Sequence, residues 1–344
     1  MSQDLAANSF GQTTRRRLMV GLPVLILAAV SGGSFLYWLR SEEANAAMQA
    51  TPAPIEGERA YQYLKQLCEI GPRVAGSEAN TRQRKLVADH FRKQGGIVRE
   101  QPFDAPHPLT GQPVRMANLI ASWFPDRESR VVIGAHYDTR PYPDEERDAN
   151  KRRAPFLGAN DGASGVALLM EIANHLPTMK TSWGVDLVLF DGEELVYGRQ
   201  PYEGEYFLGS KAFGKEYAEQ LDAGQIRYRY AAGMVLDMVA GKNLEINQEP
   251  YSLEFAPGLV REVWGVAHRL RVNEFKDRIG RAVLDDHLPL NNAGIPTIDI
   301  IDFEYPHWHK ATDLPENCSA RSLAKVGQVI TAWLTQPPAR RRGR

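Results

Sequence analysis

The sequence predicts an α/β domain in which helices cover a largely parallel sheet, on three observations. From Gly57 onward, helix-period and strand-type segments alternate. Four apolar strand runs end in acidic or imidazole residues, the place where ligands gather outside the carboxyl edge of an open sheet. No internal repeat and no second composition regime interrupts residues 57–337, which read as one catalytic domain.

Taken in order, residues 1–17 form a basic start that ends in Arg15-Arg16-Arg17, and is followed by 22 uncharged residues at 18–39. About 20 apolar residues span a bilayer as a helix. With the arginines on the N-terminal side, the positive-inside rule keeps the start in the cytoplasm and sends the remainder outward. The run reads as an uncleaved signal anchor. The alternative is a cleaved export signal, since Thr14-Arg15-Arg16-Arg17-Leu18 loosely resembles a twin-arginine sequence and Ala44-Asn45-Ala46 has the small-residue form of a cleavage site. Either way the catalytic domain is expected outside the cytoplasm, periplasmic or extracellular. Residues 40–56 read as a linker.

Within the domain, RAYQYLKQLCEI and EANTRQRKLVADHFRKQG space their apolar residues as amphipathic helices. NLIASWF, RVVIGAHYD, VDLVLFDGEE, YAAGMVLDMVA and PTIDIID are strand-length apolar runs. GASGVALLMEIANHL, SLEFAPGLVREVWGVAHRL and ARSLAKVGQVITAWL have the length of helices lying on that sheet. Residues 338–344 are a basic tail without core-forming content, expected to be disordered.

Composition chiefly excludes. The 344 residues carry 41 Lys+Arg against 42 Asp+Glu, so no net field favours nucleic acid. Two cysteines cannot build a disulfide scaffold or a structural zinc knuckle. Cys68 and Cys318 could form at most one disulfide, provided the first and last helices pack together.

The chemistry concentrates at the strand ends. One run leads into His136-Tyr137-Asp138, the next into Asp191-Gly192-Glu193-Glu194, the next into Asp237, and the last towards His307-Trp308-His309. GANDGASG, which contains Asp161, opens a helix between the first two. Adjacent carboxylates such as Glu193 and Glu194 repel and cost desolvation after an apolar strand, so a compensating cation is expected. His136, Asp161, Glu194, Asp237 and His309 form a mixed nitrogen and oxygen ligand set suited to zinc. His307 would share a strand side with His309 and is expected at the rim. His175 and His268 are expected as surface or packing residues on helices, Glu171 as a solvated or capping charge, and the mixed-sign segment 144–153 as an exposed loop.

GAHYDT, GANDGASG, FDGEE, YFLGS, VLDMVAG, DDHLPL with GIP, and WHKATD occur in the order found in the zinc aminopeptidase and glutaminyl cyclase superfamily, which the sequence resembles from about Gly57 to Leu334. The resemblance implies a three-layer α/β/α fold with a central, mostly parallel mixed sheet, as in the zinc exopeptidases. In the aminopeptidase branch it implies two zincs sharing Asp161, with His136 and Asp237 on one ion, Glu194 and His309 on the other, and Glu193 as general base. In the cyclase branch it implies one zinc on Asp161, Glu194 and His309.

Asp285 matches the cyclase's catalytic aspartate and Trp308 its pocket-wall tryptophan, while Asp286 and Asp237 are expected beside the substrate. Three departures concern the pocket: Lys310 replaces the usual threonine, Asp299 sits roughly where animal cyclases have a histidine, and the segment after Glu194 lacks their tryptophan, for which Tyr197 or Tyr202 could substitute.

The resemblance therefore implies a zinc-dependent cyclotransferase acting on peptide or protein N-termini, converting N-terminal Gln to pyroglutamate with release of ammonia. The alternatives are a di-zinc aminopeptidase and an inactive binding domain on the same fold. Retention of Glu193 beside the whole ligand set speaks against the last.

Overall fold

The computed structural model describes residues 52–198 and 203–336. The basic start, the apolar run at 18–39, most of the linker and the basic tail lie outside them. Among the described residues no helix is long and apolar enough to cross a membrane.

Helices α1 (Gly57–Glu69) and α2 (Glu78–Lys93) precede strand β1 (Ile97–Pro106), which pairs antiparallel with β2 (Pro113–Trp123). β3 (Ser129–His136), helix α3 (Ala163–Ala173), β4 (Gly184–Phe190), helix α4 (Leu208–Asp222) and β5 (Arg229–Asp237) follow. A small two-stranded sheet of β6 (Ile246–Gln248) and β7 (Phe275–Ile279) encloses α5 (Pro250–Phe255) and α6 (Pro257–Arg269) in the chain. Helix α7 (His287–Asn292), β8 (Thr297–Ile301) and α8 (Ala320–Leu334) complete it.

The main sheet runs β1-β2-β4-β3-β5-β8. β4, β3, β5 and β8 are parallel, and β2 joins β4 antiparallel, so the sheet is mixed but mostly parallel. Alternation along β3 separates its two faces. Val131, Ile133 and Ala135 enter the core shared with α1, α2, α3 and α8, whereas Val132 enters the core formed with Phe213 and Tyr217 of α4. That is a three-layer α/β/α arrangement. Gly134 is required where the layers are tight, because a Cβ there would lie 2.4 Å from the Phe190 ring.

Every expected strand and helix forms; the short α7, β6 and β7 were not expected, and further differences follow. β1 was not expected: it is an edge strand whose side chains are mostly exposed or half-buried, so it lacks an apolar run. α4 was also missed; Gly209 and Gly214 weaken its helical pattern, and Gly209 is needed because a Cβ would meet Asp191 backbone at 2.6 Å. The expected continuous helix over 252–270 divides at Ala256, since Pro257 has no N–H to extend the first helix and starts a second one. The end of the expected linker belongs to the domain, with Ile55 in the core and Ala53 N donating to Thr331 Oγ1 at 3.2 Å.

One side-chain expectation is corrected and one open question is answered. Glu171 is not solvated: it is fully buried in α3 and accepts from Arg59 Nε at 2.7 Å and from Glu56 N at 2.9 Å, with His175 Nε2 at 2.9 Å. Cys68 and Cys318 are buried free thiols, not a disulfide.

Candidate active site

The four parallel strands deliver their polar ends to one edge. His136 closes β3 and Asp237 closes β5; the loop before α3 supplies Asp161 and the loop after β4 supplies Glu193 and Glu194. The turn after β8 supplies Trp308 and His309. All of these except His136 line a cavity of about 280 Å³, whose wall also includes Phe207, Val283, Leu284, Asp285 and Phe303.

A tetrahedral zinc with bonds near 2.0 Å separates neighbouring ligand atoms by about 3.3 Å. His309 Nε2 lies 3.0 Å from Glu194 Oε1 and 3.6 Å from Asp161 Oδ2. His136 Nε2 lies 3.3 Å from Asp161 Oδ1 and 3.2 Å from Asp237 Oδ1. Both triangles match that spacing, and Asp161 turns one oxygen towards each. Its Oδ2 is buried without a hydrogen-bond partner, as a carboxylate oxygen facing a cation would be. The residues thus fit zinc, either as one ion on Asp161, Glu194 and His309 or as two ions sharing Asp161.

Burial and mutual repulsion raise the proton affinity of several acids. Burial and Glu194 push Asp161 up to about 6. Burial lifts Glu193 well above the carboxylate range, with Glu194, Asp286 and Asp285 adding to it against His136. Burial and Asp237 push Asp285 up to about 6. Glu194 is the exception: burial would raise it, but Arg140 and His309 together hold it far below the usual range.

A second set of contacts fixes these groups. Asp138 accepts from Glu193 N and Glu194 N, both at 3.0 Å, and so sets the turn that separates the two acids. Asp313 accepts from Asn160 N at 2.9 Å and Asp161 N at 3.1 Å. Arg140 NH1 donates to Glu194 Oε1 at 2.7 Å and its Nε to Asp144 Oδ1 at 2.7 Å, while Asp144 Oδ1 lies 3.0 Å from His309 Nδ1. His309 adopts a left-handed backbone, φ 52°, a conformation that costs about 1–3 kcal/mol in a residue other than glycine. Its carbonyl accepts from Glu145 N at 3.1 Å, which helps to hold it there. Gly162 is needed at φ 94°, since a Cβ would come within 2.8 Å of Asp138 O.

Glu193, Asp237, Asp285, Trp308 and the expected ligands Asp161, Glu194 and His309 all line the cavity, and His136 is in contact with Asp161. Trp308 stacks on His309 with ring centres 3.9 Å apart. Asp286, expected beside the substrate, is not among the residues lining the cavity: it is fully buried and accepts from Ser210 Oγ at 2.5 Å.

His307 lies in a turn rather than a strand, with Nδ1 2.8 Å from Thr312 Oγ1 and outside both ligand groups. Tyr197 pairs with His107 at 3.1 Å, and Tyr202 lies outside the described residues. Tyr206 and Phe207 take the place expected for an aromatic wall. Sequence reasoning missed Arg140 and Asp144 as supports, although Arg140 directly follows GAHYDT; an arginine beside an acidic loop reads as solvent-facing until the fold buries it. Only the exposed part of 144–153 is the loop that was expected.

Fold and site together define a metalloenzyme of the zinc exopeptidase class. The model of peptidase family M28 matches residues 118–334, and the chain belongs to that family. The solved structure of Fimbriiglobus ruber glutaminyl cyclase is 40% identical, covers 83% of this chain and 97% of its own, and superposes with a TM-score of 0.80. A leucine aminopeptidase precursor from Bacteroides thetaiotaomicron is 32% identical over 83% of this chain and 98% of its own, with a TM-score of 0.76. Among curated proteins, the glutaminyl-peptide cyclotransferase-like protein of Bos taurus is 24% identical over 287 residues, 77% of this chain and 72% of its own.

Proposed function

We propose that this chain is a zinc-dependent glutaminyl-peptide cyclotransferase that converts an N-terminal Gln of a peptide to pyroglutamate and releases ammonia. The observation that carries this reading is Asp285, a further acid that lines the same cavity as Glu193, together with the apolar and aromatic side chains of Phe207, Val283, Leu284, Phe303 and Trp308. Relatives named as glutaminyl cyclases, one of them 40% identical, support it.

Zinc on Asp161, Glu194 and His309 would supply a Lewis acid for the γ-carboxamide oxygen. Glu193 accepts the proton of the α-amine as the new C–N bond forms, then returns it to the carboxamide nitrogen, which leaves as ammonia when its own C–N bond breaks. No water is consumed, and the substrate supplies its own nucleophile at high effective concentration. A carboxyl whose proton affinity is raised by burial is a stronger base once ionised, which suits Glu193 to this shuttle. Asp285 orients the amine or amide N–H groups. The apolar wall excludes water that would compete for the same carbonyl. The basic start and apolar run at 1–39 support placing the domain outside the cytoplasm.

A second reading, a di-zinc aminopeptidase, is favoured by the intact His136, Asp161 and Asp237 triangle. Ammonia release from a Gln-peptide, measured beside hydrolysis of an aminoacyl anilide and with zinc counted per chain, separates the two. Ammonia together with a pyroglutamyl product is expected, with near one zinc. Anilide hydrolysis without ammonia, with near two zincs, would overturn the cyclase reading.

A further inference from the structure

A buried polar cluster lies behind Asp285 and takes no part in the steps above. Asp299 of β8 and His287 of α7 have no solvent exposure, and Glu249 is 2% exposed. His287 Nε2 is 3.3 Å from Glu249 Oε2, and its Nδ1 is 3.8 Å from Asp299 Oδ2. Asp299 in turn faces Asp285. Glu249 is immobilised: it accepts from Tyr251 N at 3.0 Å, Ser252 N at 2.6 Å, Ser252 Oγ at 2.9 Å and Val283 N at 3.2 Å. Ser252 Oγ also accepts from Asp299 N at 2.9 Å, so the two acids that bracket His287 are tied through one hydroxyl.

The row runs Glu249, His287, Asp299, Asp285, from the interior to the cavity wall. Two carboxyls face each other favourably only when one keeps a proton. Neither oxygen of Asp299 has a hydrogen-bond partner, and burial together with Asp285 and Asp237 lifts that carboxyl well above the ordinary range. Glu249 is displaced the other way: His287 and its backbone donors outweigh burial and keep it ionised. The row therefore sets a carboxyl held low by its donors at the inner end against one held high by burial beside Asp285.

We propose that His287 is a positioning residue for the reaction, holding Asp299 against Asp285 and thereby fixing the direction in which the Asp285 carboxyl meets substrate. The assignment rests on the function proposed above. A metal held by Asp285, His287 and Asp299 is the competing use of the same groups, and the zinc content of the variants below separates the two.

The test compares full-length wild type with His287→Gln, Asp299→Asn and Asp299→Leu for kcat and KM on a Gln-peptide, zinc content and melting midpoint. His287→Gln is expected to lower kcat about 10- to 100-fold, the range for losing an outer support of an active site, with KM and zinc content nearly unchanged. Asp299→Asn keeps a neutral donor facing Asp285 and is expected to retain more kcat than Asp299→Leu. Wild-type kcat in folded His287→Gln, equal losses in the two Asp299 variants, or loss of a zinc from His287→Gln would each overturn the role. If His287→Gln does not fold, the Asp299 pair decides. A wild type that releases no ammonia overturns the function and this role with it, whereas an active wild type with indifferent variants overturns the role alone.

Discussion

Glu193 and Glu194 are neighbours in sequence with opposite electrostatic situations. Arg140 and His309 hold Glu194 ionised, whereas burial beside other acids lifts Glu193. Their substitutions should therefore separate metal binding from turnover. Glu193→Gln is expected to keep zinc and lose about 100-fold or more in kcat, while Glu194→Ala loses zinc, as metal analysis beside activity will show. Unchanged activity in Glu193→Gln would sink the proton shuttle in either branch of the family. The ligand residues were legible because each terminates an apolar strand or opens a helix, positions that sequence periodicity exposes. The supports were not: nothing local marks Arg140 or Asp144 as buried, and nothing local decides which of Asp285 and Asp286 faces the cavity.

At the scale of elements, the pairing of α1 with α3 depends on a buried charge. Glu171 is fully buried and paired with Arg59 and His175. Burial alone would raise its carboxyl, but His175 and Arg59 together pull it down to about 2. A depressed carboxyl contributes stability that is complete above the unfolded value of about 4.5 and is lost as pH falls from there through about 2. Glu171→Gln should cost about 1–3 kcal/mol at neutral pH, because Arg59 loses a charged hydrogen-bond partner but keeps Glu56 and partial access to solvent. The variant's stability should also decline less than wild type between those two pH values, which denaturant titrations at several pH values will measure. Periodicity found the helices and parallel strands because both are rich in apolar residues. It missed β1, whose side chains are mostly exposed or half-buried, and α4, whose glycines serve close packing rather than helix propensity.

Across the molecule, one edge of the sheet gathers Asp161, Glu193, Glu194, Asp237 and Asp285 around a single cavity. Such a concentration of acids opposes folding unless a cation offsets it. Chelation is accordingly expected to lower the melting midpoint by several degrees, and added zinc to restore it, since a ligand at about 1,000 times its dissociation constant contributes about 4 kcal/mol. A midpoint indifferent to chelator and zinc would contradict a metal centre here.

The two buried thiols also make the fold report on itself. Cys68 lies at the end of α1 and Cys318 just before α8, and burial pushes the Cys68 thiol up to about 11 and Cys318 upward as well. A thiol that is both covered and protonated is a poor nucleophile. An alkylating reagent should therefore reach neither cysteine in the native chain faster than this helical layer opens. The labelling rate becomes a clock for opening of α1 and α8, read without any engineered residue.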